Sequence, residues 1–222
     1  MIRLGIIGQP VHQSLSPRIH KWLSLKTNDT VCYEAIETTL SDLPSRLIQL
    51  EKDGFVGVNV TSPLKTEVIP FVHQLDKIAT MTESLNTIRF EPEGQRVATN
   101  TDVFGFAHQF GGAPCKRVAI LGAGGVVPSI LFVLTKVGVD EVCLFNRSSP
   151  SNQVIKKALA ANQGITYAPL KRFAESAAEF DVVIHCLPHA ALPSASDWFS
   201  LELQKETRFI DLNYGATARV TR

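Results

Sequence analysis

Lys65 and Asp102 are the residues of this 222-residue chain best suited to moving a proton and steadying the charge left behind. An ammonium can protonate an oxygen that is gaining negative charge, and a carboxylate can orient that ammonium. Hydroxyls and amides accompany them along the chain: Ser14 and Ser16, Asn59 and Thr61, Asn86, then Asn100 and Thr101. Together the set offers O–H and N–H donors for a carboxylate, amide and carboxylate acceptors for hydroxyls, and one cation for charge and protons. Such groups suit a small polyhydroxylated anion. Singly, each has an ordinary structural role: Ser16 as a helix cap, Lys65 as a solvated first-turn lysine, Asp102 as a helix opener. The functional reading rests on their placement as a group.

A second kind of chemistry is written into VAILGAGGVVPSI. An apolar run leads into Gly122-Ala123-Gly124-Gly125-Val126, and a helical pattern follows with Pro128 in its first turn. The G-x-G-x-x-G pattern fails at position 127, a Val, which leaves G-x-G-G-x-x-P. Glycines let the backbone turn tightly and approach a pyrophosphate, and the helix N-terminus donates N–H groups to it. Proline is tolerated there because first-turn N–H groups have no partner within the helix. A tight turn without a ligand is the ordinary alternative. The next apolar run, EVCLFNRS, ends about 20 residues on, where the adenosine ribose is expected. An Asp or Glu at that end would favour NAD. Asn146-Arg147-Ser148 stands there instead, and a guanidinium can pair with a 2′-phosphate. The expectation is NADP, with Arg147 as discriminator.

The elements that must carry these groups alternate. RLGIIG (3–8), VCYEAIET (31–38) and GFVGVNVT (54–61) read as strands. Between them, SLSP (14–17) opens a helix with Ile19, Trp22 and Leu23 on one face, and 41–53 carries Leu43, Leu47 and Leu50 at helical spacing. A third helix follows the third strand. LNTIRFE and RVATN flank Pro92-Glu93-Gly94 as a hairpin, and 102–110 is helical. The alternation starts again after a boundary around 100–115. Strands are expected at 118–121, 141–146, 181–186 and 208–212, and helices near 126–138 and 152–162. Strand–helix alternation predicts an α/β fold with a mostly parallel sheet, and ligands bind beyond the carboxyl ends of its strands. The polar residues above fall at those ends.

Composition removes several function classes. Twenty-two Lys and Arg against 21 Asp and Glu leave a net charge of +1, so no bulk field draws the chain to nucleic acid or an anionic membrane. Cys32, Cys115, Cys143 and Cys186 form no CxxC pair, which argues against a disulfide framework or zinc ribbon. No uncharged apolar stretch reaches about 18 residues, and the N-terminus lacks a signal-peptide core. These features fit a reducing cytoplasm.

With these segments assembled, the chain resembles the shikimate dehydrogenase family (AroE-like). GQPVHQSLSPRIH, GVNVTSPLKTEV, LNTI, NTDVFGF, LGAGGVVPSI and NRS carry the resemblance, in family order. NVTxPxK with a downstream NTDxxG is its specific part. The resemblance implies a substrate-binding catalytic domain over 1–105, a Rossmann-like NADP-binding domain over 106–222, and a cleft between them. It implies reversible NADPH-dependent reduction of 3-dehydroshikimate to shikimate, on the route to aromatic amino acids. By motif position, Ser14 and Ser16 hold the substrate carboxylate; Thr61, Asn86 and Asp102 bind substrate; Asn59 supports the site; Lys65, with Asp102, is catalytic. Gly122, Ala123, Gly124, Gly125 and Val126 carry the cofactor with Asn146, Arg147 and Ser148. Tyr214 aligns with a tyrosine near the substrate, and Leu212 with a backbone contact to the nicotinamide.

Three departures stand out. Glu83-Ser84-Leu85 replaces the usual Gly-Ala-Val, and His185-Cys186-Leu187 replaces Asn-Ala-Thr. The family's Gly-x-x-Met-Leu-like stretch, with its substrate-binding Gln and C-terminal helix, is expected to be missing after Arg222. No metal is expected; His185-Cys186-xx-His189 lacks helical register and a third ligand. His12, His20 and His108 read as surface or packing residues. The partner is a small molecule, in a monomer or homodimer. The competing readings are a quinate or quinate/shikimate dehydrogenase and a non-catalytic ligand-binding relative. Retention of Lys65 and Asp102 argues against the latter. A methylene-tetrahydrofolate dehydrogenase does not explain the SLSP loop.

Overall fold

The computed structural model describes residues 1–27, 29–111, 115–161, 164–187, 203 and 206–213. They fall into two compact units, Met1–Gly105 and Phe106–Arg222.

In the first unit, β1 (Ile2–Gly8), α1 (Ser16–Thr27), β2 (Val31–Glu37), α2 (Leu43–Lys52), β3 (Phe55–Val60) and α3 (Leu64–Glu67) follow the expected alternation. Then come β4 (Gln74–Leu75), α4 (Lys77–Thr82), β5 (Thr87–Phe90) and β6 (Arg96–Thr99), and α5 (Asp102–Phe110) leads out. The sheet order is β2-β1-β3-β5-β6-β4. β1 pairs parallel with β2 and β3, and β4 with β6. The hairpin makes β5 antiparallel to both its neighbours. Leu43, Leu47 and Leu50 of α2 are buried against Ile7, Phe55, Val58 and Ile88, which is why a 3.6-residue apolar spacing forms a helix there. Each such leucine contributes about 2 kcal/mol by leaving water.

The α1 face differs from that pattern. Ile19, Trp22 and Leu23 are 52%, 57% and 39% exposed, and the helix has no buried residue. It lies against β2, the edge strand, so only one strand is available to cover it. Ser16 is also not a simple cap. Its own N–H goes to the Ser14 hydroxyl at 3.2 Å.

The second unit contains β7 (Arg117–Leu121), α6 (Val127–Val137), β8 (Glu141–Asn146), α7 (Gln153–Ala160), β9 (Ile165–Pro169), α8 (Phe173–Ser176), β10 (Val182–His185) and β11 (Arg208–Asp211). Its sheet, β11-β10-β7-β8-β9, is parallel throughout. That order reverses direction at β7, as in doubly wound nucleotide-binding folds. α6 is apolar on most sides: Val127, Ile130, Leu131, Val133 and Leu134 are all buried. On the sheet, Ala119, Leu121, Phe145 and Val183 join Phe173 and Phe180 in one apolar cluster.

Candidate active site

Lys65 lies on the first turn after β3, and Asp102 opens α5 after β6. The sheet brings them together: Lys65 Nζ donates to Asp102 Oδ2 at 2.6 Å, with side chains 15% and 21% exposed. The second carboxylate oxygen, Oδ1, accepts from Asn86 Nδ2 at 2.7 Å. Asn86 is fixed in turn. Its Oδ1 accepts from the Thr101 N–H at 2.9 Å and from the Thr101 and Thr87 hydroxyls at 3.0 Å. Its backbone bridges β3 and β6 through Val60 N–H and Thr99 C=O. Asn100 is fully buried; it accepts from the Asp102 N–H at 3.2 Å and donates to Thr82 Oγ1 and the Ser84 carbonyl. It anchors the start of α5 rather than facing a ligand.

The network continues across the sheet. Asn59 and Thr87 are register partners on β3 and β5, and Asn59 Nδ2 donates to Thr87 Oγ1 at 3.0 Å. Tyr33 on β2 donates to Asn59 Oδ1 at 2.6 Å. Burial pushes the Tyr33 phenol up to about 12, with the Ser16 hydroxyl pulling the other way, so at neutral pH it is a donor. His20 stacks on its ring at 4.1 Å between centroids, and burial lowers the imidazole's pKa. One hydrogen-bonded chain thus runs from Tyr33 through Asn59, Thr87, Asn86 and Asp102 to Lys65. Thr61 sits in the loop between β3 and α3, its N–H on the Ile7 carbonyl. The loop after β1, which bears Ser14 and Ser16, is tied to that loop by Gln9 N–H on Ser62 C=O at 3.0 Å. The arrangement can bind a hydroxylated acid, hold an ammonium against a carboxylate, and deliver a proton.

In the second unit the glycine turn connects β7 to α6. Gly122 has φ +113°, a left-handed backbone, and an added Cβ would lie 3.2 Å from the Cys186 carbonyl carbon. Only glycine fits this close crossing without strain. Over Gly124 an added Cβ would meet nothing within 4 Å. The turn therefore leaves open space over Gly124, just before the N-terminus of α6, whose dipole favours an anion. Asn146, Arg147 and Ser148 turn away from the end of β8, with Asn146 Nδ2 on the Ser148 carbonyl at 2.9 Å and Arg147 exposed. Ala123 and Val126 complete the turn, and Leu212 follows β11 with its N–H on the His185 carbonyl. A dinucleotide carrying a 2′-phosphate fits this set: a glycine turn for the pyrophosphate and an exposed guanidinium at the adenosine end.

Comparison with known proteins agrees with both units. Residues 6–88 match the model of the shikimate dehydrogenase substrate binding domain, and 106–213 match that of shikimate / quinate 5-dehydrogenase. Shikimate dehydrogenase (NADP(+)) of Pelagibacter ubique is 32% identical over 156 residues, which cover 68% of this chain and 58% of that protein. The crystal structure of shikimate 5-dehydrogenase from Thermus thermophilus, in complex with NADP(H) and shikimate, is 30% identical. It superimposes with a TM-score of 0.74 over 95% of this chain and 78% of that one. The chain belongs to the shikimate dehydrogenase family. The fold likeness extends to the Aquifex aeolicus shikimate dehydrogenase, at a TM-score of 0.81 and 24% identity over 97% of this chain and 80% of that one. The chain spans 58%, 51% and 66% of the length of the first curated family members it matches.

The family departures now have positions. Glu83 caps α4 in a left-handed conformation, φ 43°, where the family's usual glycine is at ease. The buried Ser84 carbonyl accepts from Thr82 and Asn100. His185 is buried at the end of β10 and pairs with Asp211 at 2.9 Å. Tyr214, proposed beside the substrate, lies outside the described residues, as does His189. Tyr33 and Thr87 were not singled out from the sequence. Tyr33 alternates within an edge strand like any half-buried aromatic, and only its cross-strand partner gives it a role.

Proposed function

We propose that this chain catalyses the reversible NADP-dependent reduction of 3-dehydroshikimate to shikimate, in the cytoplasm and within aromatic amino acid biosynthesis. The observation that carries the reading is the Lys65–Asp102 pair at 2.6 Å, with Asn86 on the other carboxylate oxygen. A bound nicotinamide nucleotide supplies the hydride, or accepts it in the reverse direction. Lys65 gives its proton to the alkoxide oxygen that forms as the carbonyl is reduced, and takes it back on oxidation. Asp102 keeps the ammonium aimed and accepts a substrate hydroxyl. Ser14 and Ser16 offer hydroxyls to the substrate carboxylate, with Thr61 and Asn86 on its ring hydroxyls and Tyr214 near it. Asn59 supports Asn86 rather than reaching the reacting carbon. Gly122 to Val126 would hold the pyrophosphate, Asn146, Arg147 and Ser148 the adenosine 2′-phosphate, and Leu212 the nicotinamide end.

Four assays test this: shikimate and quinate, each with NADP⁺ and NAD⁺, followed by the near-ultraviolet absorbance of the reduced nucleotide. Shikimate with NADP⁺ is expected to give the highest kcat/KM. Quinate with NAD⁺ in first place would replace the proposal, and no turnover with any pair would make the chain a binding protein.

A further inference from the structure

The sheet order of the second unit assigns its two flanks, if the NADP reading above holds. The pyrophosphate belongs to the turn after β7, and the adenosine half to the end of β8, at Asn146–Ser148. A dinucleotide is extended about its pyrophosphate, so its nicotinamide half falls on the opposite flank, at the ends of β10 and β11. There the structure holds a buried polar cluster. His185 and Asp211 side chains are 3% and 13% exposed. His185 Nδ1 lies 2.9 Å from Asp211 Oδ1 and 3.1 Å from Asn213 Nδ2. The same oxygen accepts from the Asn213 N–H at 2.9 Å and from Asn213 Nδ2 at 3.0 Å. Asn213 Nδ2 also reaches the Leu187 carbonyl at 3.1 Å. Leu212 lies between the two tied residues, and its own N–H bonds the His185 carbonyl at 3.0 Å. Burying an imidazole and a carboxylate at a strand end costs desolvation that an apolar pair would avoid. What the polar pair adds is a fixed course for the chain through Leu212, because these bonds converge on the residues around that peptide.

We propose that His185 is a positioning residue for the nicotinamide half of the nucleotide, tying β10 to the Asp211–Leu212–Asn213 turn so that the Leu212 peptide is held ready for that half. His185 is too buried to touch the nucleotide, and acts through Asp211 and the turn.

The test reads binding by calorimetry on the full chain. NADP⁺ is compared with adenosine 2′,5′-bisphosphate, which keeps the adenosine and the 2′-phosphate but has no nicotinamide. His185→Ala is expected to weaken NADP⁺ binding about tenfold while changing bisphosphate binding less than about twofold. His185→Asn, whose amide nitrogen can take the place of Nδ1, is expected to restore most of the NADP⁺ affinity. Asn213→Ala lies on a partly exposed turn and keeps the reading open if His185→Ala folds poorly. It is expected to weaken NADP⁺ about threefold and again spare the bisphosphate. Equal weakening of both ligands, or unchanged NADP⁺ binding in both variants, would overturn the assignment. An unaltered chain that binds neither ligand would overturn the NADP reading itself, and the assignment with it.

Discussion

At the scale of single residues, the first unit fixes one ammonium, that of Lys65. Asp102 accepts from Lys65 and Asn86 through different oxygens, so Asp102→Asn removes the charge and disturbs both partners. Its kcat is expected to fall and its shikimate KM to rise together; a change in KM alone would mean that Asp102 only binds. Arg147→Ala should erase the preference for NADP⁺ over NAD⁺, read as the ratio of the two kcat/KM values, and an unchanged ratio would remove Arg147 from the cofactor site. Tyr33 offers a test by pH. Burial raises its phenol to about 12, above the unfolded value near 10, so the folded protein holds that proton more tightly. The stability this contributes is present below about pH 10 and is lost as pH rises toward about 12. Tyr33→Phe should therefore lessen the alkaline fall in melting temperature, and an unaltered alkaline limb would show that the tyrosine does not titrate with unfolding. Lys65, Asp102 and Asn86 were legible in the sequence because they fall at strand ends in a specific motif. Tyr33 was not, because its meaning depends on a partner 26 residues away across the sheet.

Secondary-structure elements were the most legible level, for reasons that differ from place to place. Leu43, Leu47 and Leu50 announce α2 because one apolar stripe meets one sheet face. The β5–β6 hairpin is announced by Pro92-Glu93-Gly94, whose Glu93 and Gly94 take positive φ in the turn. β9 escaped because ITYAP is only five residues long and ends in proline, although Ile, Thr and Tyr favour strands. The two-residue β4 and the short α4 carry too few apolar repeats to show a period. α1 misleads in the other direction: its apolar spacing is real, but an edge strand covers little of it. The glycine turn gives the element-scale test. Gly122→Ala forces a side chain into φ +113° and against the Cys186 backbone. It should destabilise the second unit by roughly 1–3 kcal/mol in chemical denaturation. An unchanged midpoint would mean that the turn is not held against β10.

At the scale of the whole chain, the proposed function divides the chemistry into two kinds of task. In that reading the hydroxyls, amides, ammonium and carboxylate of the first unit serve a small acid, and the glycine turn and arginine of the second serve a phosphorylated nucleotide. A net charge of +1 gives neither task to a long-range field, so each anion must be caught by local donors. The strand–helix alternation restarts around 100–115 in the sequence, and the compact units part after Gly105. The cluster at His185 was not legible in the sequence, since it depends on the ends of β10 and β11 meeting. The most direct test of the account is the oxidation of shikimate by NADP⁺, measured on the full chain and on Lys65→Ala side by side. The account predicts turnover by the unaltered chain and a kcat at least about 100-fold lower in the variant, with the shikimate KM changed by only a few fold. Absence of turnover by the unaltered chain, or a variant that keeps its kcat and loses only KM, would contradict it.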